Sequence, residues 1–186
     1  MQLHSAHYRN ADQLPKGAVL VVGSCQIVEN LRLADREVYL CVGKAARIPR
    51  RYLGREIIQW LFDAGFQDVP VDKHPLSRAI RFESYEHLKG RDGGRAFDLR
   101  QLALGGTILL GRMNDAYGFE AYFSSDLNKT LDKIDEACQE TLAQIDQYID
   151  EKEVDAAPND LEPISRNPLS IIEKLDLKKA GIGSIV

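Results

Sequence analysis

The stretch AVLVVGSCQIVENL, Ala18 to Leu31, changes its periodicity in the middle. Ala18-Val19-Leu20-Val21-Val22 is an unbroken apolar run closed by Gly23, the pattern of a strand buried on both faces. From Cys25 to Ala34 the apolar residues Ile27, Val28 and Leu31 recur on one helical face. Val38 to Val42, ending at Gly43, repeats the buried-strand pattern. Strand, turn, helix and strand form a compact βαβ unit, whose crossover is expected to be right-handed.

Outward from this unit the chain keeps the rhythm of an α/β protein. Met1 to Lys16 reads as an irregular lead-in, with Pro15-Lys16-Gly17 turning into the first strand. Gly54 to Ala64 places Ile57, Ile58, Leu61 and Phe62 at helical spacing, and Gly65 stops that helix. Asp68 to Arg95 carries Pro70, Pro75 and a glycine-rich segment, and reads as loops and short elements. Phe97 to Leu104 is expected to be a short helix, and Thr107 to Gly111 a third strand. Tyr117 to Ser124 alternates aromatic with small or polar residues, as an antiparallel hairpin does.

Asp126 to Glu151 gives the clearest helix. Leu127, Leu131, Ile134, Cys138, Leu142, Ile145 and Ile149 recur at steps of three and four, with Ser124 or Ser125 to cap it. A linker, roughly residues 155–168, leads to a final helical stretch, and AGIGSIV at the end reads as a strand. The expected fold is a Rossmann-like three-layer α/β domain over residues 1–186. Its central parallel sheet is joined by an antiparallel hairpin and a long helix packed across the sheet.

Composition excludes several function classes. No apolar run approaches the ~20 residues needed to cross a bilayer, and the polar first ten residues are no signal peptide. Cys25, Cys41 and Cys138 are odd in number and far apart, which argues against a disulfide framework or zinc site and for a reducing cytoplasm. His7, His74 and His87 have no ligand spacing, so no metal site is expected. Charge is uneven: Lys44 to Arg55, KAARIPRRYLGR, has five basic residues and no acid, whereas Asp126 to Glu162 has twelve acids against three lysines. The acidic segment reads as a solvated helix face. The basic cluster is no nucleic-acid patch, because the chain carries a net charge of −4 and has no aromatic platform beside it.

The turn after the first strand poses the main question. A Rossmann unit that holds a dinucleotide carries G-x-G-x-x-G there, so that the backbone can approach a pyrophosphate at a helix N-terminus. Here Gly23 is followed by Ser24, Cys25 and Gln26.

Four blocks, HSAHYRNADQLPKGAVLVVGSCQI (4–27), VYLCVGKAARIPRRYLGREIIQWL (38–61), KGRDGGRAFDLRQLALGGTILLGR (89–112) and the long acidic helix, resemble the bacterial flavin-containing monooxygenases. These belong to the class B flavoprotein monooxygenases, which include the Baeyer–Villiger enzymes. The resemblance runs in order over nearly the whole chain. It implies the NADPH-binding domain portion of an enzyme whose FAD-binding domain lies on either side of it. His4, Ser5 and Tyr8 match the tail of the family's F-x-G-x-x-x-H signature, and the chain stops at Ile185-Val186 where an A-T-G-Y motif would begin. The family's loop is similar to G-S-G-Q-S-G followed by Cys-Gln-Ile, so the turn here reads as shortened by about four residues.

The resemblance implies an NADPH site at Gly23, Ser24, Cys25 and Gln26 for the pyrophosphate, with Lys44, Arg47, Arg50 and Arg51 as cations for the adenosine 2′-phosphate. FAD would come from a missing domain or from a separate FAD-domain chain, and the isolated chain is expected to be inactive and to supply no catalytic residue. Cys25 at a helix N-terminus could be an activated nucleophile, although a small buried thiol is the plainer reading. Trp60 is expected in the core and His4 at an exposed N-terminus. A second reading is a non-catalytic remnant or binding module that retains the fold without binding dinucleotide.

Overall fold

The computed structural model describes residues 1–23, 25–43, 47–66, 68–82, 98–161 and 166–186. In chain order its strands and α-helices are β1 (Ala18–Val22), α1 (Cys25–Leu33), β2 (Val38–Cys41), β3 (Arg51–Tyr52), β4 (Arg55–Glu56), α2 (Ile57–Asp63), α3 (Leu99–Leu104), β5 (Ile108–Leu110), β6 (Met113–Tyr117), β7 (Glu120–Phe123), α4 (Leu127–Lys152), β8 (Lys174–Asp176) and β9 (Ile182–Ile185). The chain divides into two compact units. The first comprises Met1–Gly43, Leu99–Leu131 and Ser165–Val186, the second Lys44–Asp98 and Asp132–Ile164.

In the first unit four strands form a parallel sheet in the order β5-β2-β1-β9. β1 lies inside the sheet, with Val19 opposite Val38 on one edge and Leu20 opposite Ile185 on the other. Val19, Leu20 and Val21 are fully buried because both faces of the strand are covered. Ala18 and Leu20 pack with Tyr39, Cys41 and Leu110, and with Ala121, Phe123 and Leu177. Side chains alternate across a strand, so Val19 and Val21 face the opposite side. The Ile27, Val28 and Leu31 stripe of α1 is buried as well. The α/β Rossmann-like architecture expected from the sequence is therefore present.

The antiparallel element is larger than a hairpin. β6 and β7 turn at Gly118-Phe119, and β8 adds to β7 to give a three-stranded sheet. Tyr117 to Ser124 thus covers the turn and the second strand, and the first strand begins earlier, at Met113. The helical stretch expected after the linker is instead β8 and a turn into β9. Lys174-Leu175-Asp176-Leu177 alternates polar and apolar residues, a period of two that pairs with β7 rather than winding a helix. Asn128 holds this returning segment, donating to the Leu169 carbonyl at 2.9 Å and accepting from the Leu169 amide at 2.8 Å.

The lead-in is tied down at several points. Gln2 bridges to Ile185 in parallel, extending the sheet edge beyond β9. The Arg36 guanidinium donates to the carbonyls of Ala11, Pro15 and Gly17.

In the second unit the helix expected from Gly54 starts at Ile57 instead. Leu53 and Gly54 both have positive φ, 48° and 78°, and turn β3 back onto β4 with Arg51 opposite Glu56. A two-residue turn of this hand suits a hairpin, so the basic run folds as one. α2 then buries Ile57, Trp60 and Leu61 against Ile48, Tyr52 and the Cys138, Leu142 and Ile145 stripe of α4. The long helix expected across the parallel sheet therefore spends its stripe beyond Ile134 on this second core. Trp60 is fully buried, and its indole donates to the Tyr52 carbonyl at 2.7 Å. Ala156 and Leu161, expected in a linker, pack against the same cluster.

Two glycines of the first unit allow the close approach of β9 to be tested. Gly17 has φ +114°, and a Cβ there would sit 2.7 Å from the Gly181 carbonyl and 3.3 Å from the Gly183 amide. Gly118 has φ +59° with nothing within 4 Å of its Cβ position. Gly118→Ala carries only the left-handed backbone cost of about 1–2 kcal/mol, whereas Gly17→Ala adds a backbone clash. Urea denaturation should show the larger loss for Gly17→Ala, and equal losses would contradict the β1–β9 packing.

Candidate functional site

The sheet order places β1 where the strand order reverses. The chain leaves β1 through α1 toward β2 and β5, while β9 lies on the other side. In open parallel sheets the crevice at the carboxyl end of such a strand pair is the ligand position. Val22 marks where β1 emerges: it is 46% exposed, after three residues at 0%. Its amide still donates to the Val186 carbonyl at 2.7 Å, so the strand is held to its last residue.

Gly23 follows with φ +101°, a conformation that favours glycine, and among the described residues nothing lies within 4 Å of where a Cβ would sit. α1 begins two residues later at Cys25 and has no acidic residue in its first turn. The first amides of a helix lack partners within it and sit at the positive end of its dipole. The Gln26 side chain is exposed and Cys25 is half-buried. Ser24 lies outside the described residues. Burial pushes the Cys25 thiol up to about 11, which argues against an activated nucleophile and for a packing residue. Tyr8 ties the lead-in to this helix, its hydroxyl donating to Asn30 Oδ1 at 2.6 Å.

The arginines of the basic run belong to the second unit and are engaged there. Arg47 donates through Nη1 to Asp135 at 2.8 Å, and its Nη2 stands 3.3 Å from Asp98. The three side chains are 12%, 4% and 10% exposed respectively. Arg50 and Arg51 donate to the two oxygens of one carboxylate, Glu56, at 2.9 and 3.0 Å. The Arg51 hydrogen bond is the main cause that holds the Glu56 carboxyl below its usual range. Arg55 pairs with Asp63 and stacks 4.1 Å over the Trp60 ring. Lys44 lies outside the described residues.

These carboxylates escape a motif search, yet Asp135 left a signal. Leu131, Asp135, Cys138 and Leu142 follow the spacing of the buried stripe of α4, so an acid at that position requires a buried cation. Removing one partner of such a pair costs about 3–5 kcal/mol, because the other charge stays buried.

The remaining candidates have local roles. His4 is exposed and caps the turn at Ser5–His7, its Nδ1 accepting from the Ala6 amide at 3.1 Å. His74 accepts from the Leu76 amide at 3.1 Å, and His87 lies outside the described residues. Among the described residues no group of three or more His, Cys, Asp or Glu could hold a metal ion, and no helix is long and apolar enough to cross a membrane.

A dinucleotide with a 2′-phosphate makes two demands on these residues. The open space at Gly23 and the first amides of α1 fit a pyrophosphate. Arg47, Arg50 and Arg51 do not fit a 2′-phosphate in the same way, since each already has a carboxylate.

The chain is 40% identical over 76 residues to a protein of Geobacillus kaustophilus described as an uncharacterized oxidoreductase CzcO-like. The match covers 38% of this chain and 22% of that relative's length. No protein-family description matches the chain, and no solved structure does.

The buried thiols give a pH dependence with a definite sign. Burial raises Cys25 to about 11 and Cys41 to about 12, from a starting value of 9.0. The unfolded thiols release protons first, so this stabilisation is complete below about pH 9 and is lost as pH rises through 11 and 12. Denaturation midpoints should fall across that window, and less steeply in Cys41→Val. A fall of the same steepness in Cys41→Val would contradict the assignment. Iodoacetamide at pH 8 should modify the denatured chain far faster than the native one.

Proposed function

We propose that this chain is a dinucleotide-binding domain of a flavin-dependent oxidoreductase of the monooxygenase type, with NADPH as the nucleotide the resemblance implies. The observation that carries the reading is the strand order β5-β2-β1-β9, which sets an open, positive-φ glycine and a helix N-terminus at its reversal point. Support for the oxidoreductase class comes from the partial likeness to the Geobacillus protein.

In this reading Gly23 turns the chain so that the amides of Cys25 and Gln26 donate to a diphosphate, and the α1 dipole favours its charge. The Val22–Val186 hydrogen bond keeps the end of β1 in register. Hydride chemistry is the nicotinamide's own contribution when it is bound. Flavin is supplied by residues other than these, either from a companion chain or a further domain. The 186-residue chain alone is expected to oxidise no NADPH, and co-expression with a flavin-binding partner is expected to restore turnover.

The second reading, a binding module or remnant that keeps the fold without the nucleotide, draws on two observations. One glycine stands where a dinucleotide loop carries three, and Arg47, Arg50, Arg51 and Arg55 all pair with carboxylates. Titration calorimetry with NADPH, NADH and 2′-phospho-AMP separates the readings. Micromolar heat with a dinucleotide supports the first, and no heat with any ligand supports the second.

The turn itself can be repaired. Inserting Gly-Gln-Ser-Gly between Ser24 and Cys25 adds freed amides and positive-φ positions at the helix N-terminus. A few charge-assisted bonds, less the ordering of the loop, amount to about 2–4 kcal/mol, or roughly 30- to 1000-fold in affinity. A repaired protein that folds normally and still ignores both nucleotides would overturn the assignment of Gly23, Cys25 and Gln26.

A further inference from the structure

We infer that Arg47 is the buried structural cation of the second unit, and that Arg47, Arg50 and Arg51 do not select a phosphorylated adenosine ribose. As a statement about nucleotide choice this rests on the dinucleotide reading above. As a statement about Arg47 it stands alone.

Charge is the first ground. The four arginines between Arg47 and Arg55 meet four carboxylates: Asp98 and Asp135 for Arg47, Glu56 for Arg50 and Arg51, and Asp63 for Arg55. Each of these four arginines therefore already has a carboxylate partner, and the four cations are matched by four anions.

Burial is the second ground. A phosphate-reading guanidinium keeps donors directed at the ligand, whereas Arg47 is 12% exposed and directs both terminal nitrogens at carboxylates. Its Nε is buried and has no hydrogen-bond partner among the described residues, so that donor does not reach solvent. Turning Arg47 toward a phosphate would take a guanidinium partner from Asp135, whose side chain is 4% exposed, in the buried stripe of α4.

Location is the third. Residue 47 precedes Ile48, which is 1% exposed in the core of the unit, while Asp98 immediately precedes α3 and Asp135 lies on α4. One guanidinium therefore ties together three segments that are distant in sequence. A planar fork with several donors serves two carboxylates at once, as a lysine cannot.

The test uses the unliganded chain first. Arg47→Met should lower the folding constant by about 160- to 5000-fold in urea denaturation, the usual result of removing one partner of a buried ion pair. The triple variant Arg47→Met, Asp98→Leu, Asp135→Leu removes all three charges and should recover most of that loss. If Arg47→Met is too unstable to isolate, the triple variant must still fold. In calorimetry, Arg51→Ala and Arg50→Ala should leave the NADPH:NADH ratio of dissociation constants within about twofold of the original. Arg47→Met with unchanged stability overturns the inference, as does a triple variant no more stable than the single one, or a tenfold rise in the ratio for Arg50→Ala or Arg51→Ala. Should the chain bind neither nucleotide, the dinucleotide reading fails, and the denaturation series still decides the role of Arg47.

Discussion

β1 must satisfy its backbone on both edges while burying both faces, and the first unit is organised around that requirement. A parallel sheet with cover on each side meets it. β2 and β9 supply the edges, and Leu20 packs toward the cluster that holds Ala121, Phe123 and Leu177. Once β1 is central, its carboxyl end is confined to the place where the sheet order reverses. Val22 emerging from the core and the left-handed Gly23 follow from this placement and need no loop of several glycines to produce them. The open ground at Gly23 is thus a consequence of the topology, kept even though the turn is short.

The second unit obeys a different constraint. Its core holds Trp60 and Ile145 at 0% exposure, yet Asp135 is buried in the same stripe of α4. A carboxylate in that position has to be neutralised by a cation that can serve it without water. Arg47 does so, and shares its charge with Asp98. The basic run after β2, which in isolation resembles an anion site, is in this way drawn into the unit's own electrostatics.

The sequence made these two parts legible to different degrees. The runs Ala18–Val22 and Val38–Cys41, the α1 stripe and the α4 stripe carry their period in consecutive residues, and they fold within a residue or two of the expected bounds. β8 is not legible in the sequence, because three residues are too few to show a period of two against a neighbouring apolar pair, Ile171 and Ile172. The β3–β4 hairpin is hidden in the sequence because Leu53 is an unusual residue at positive φ, and Gly54 stands directly before a run with helical spacing. The role of the arginines depends on Asp135, which is 88 residues from Arg47. No local pattern contains that pairing. The turn at Gly23 was legible in its residues, and its position at the strand-order reversal required β9, a partner from the far end of the chain.

The most direct measurement for the central claim is an amide-resolved NMR titration of the isotope-labelled chain with NADH. The account expects the largest shifts at Gly23, Cys25 and Gln26, with a smaller response at Val22 and Val186 through their hydrogen bond, and little change at Arg47, Arg50 and Arg51. Saturable shifts centred elsewhere, with the amides around Gly23 unmoved, would contradict it.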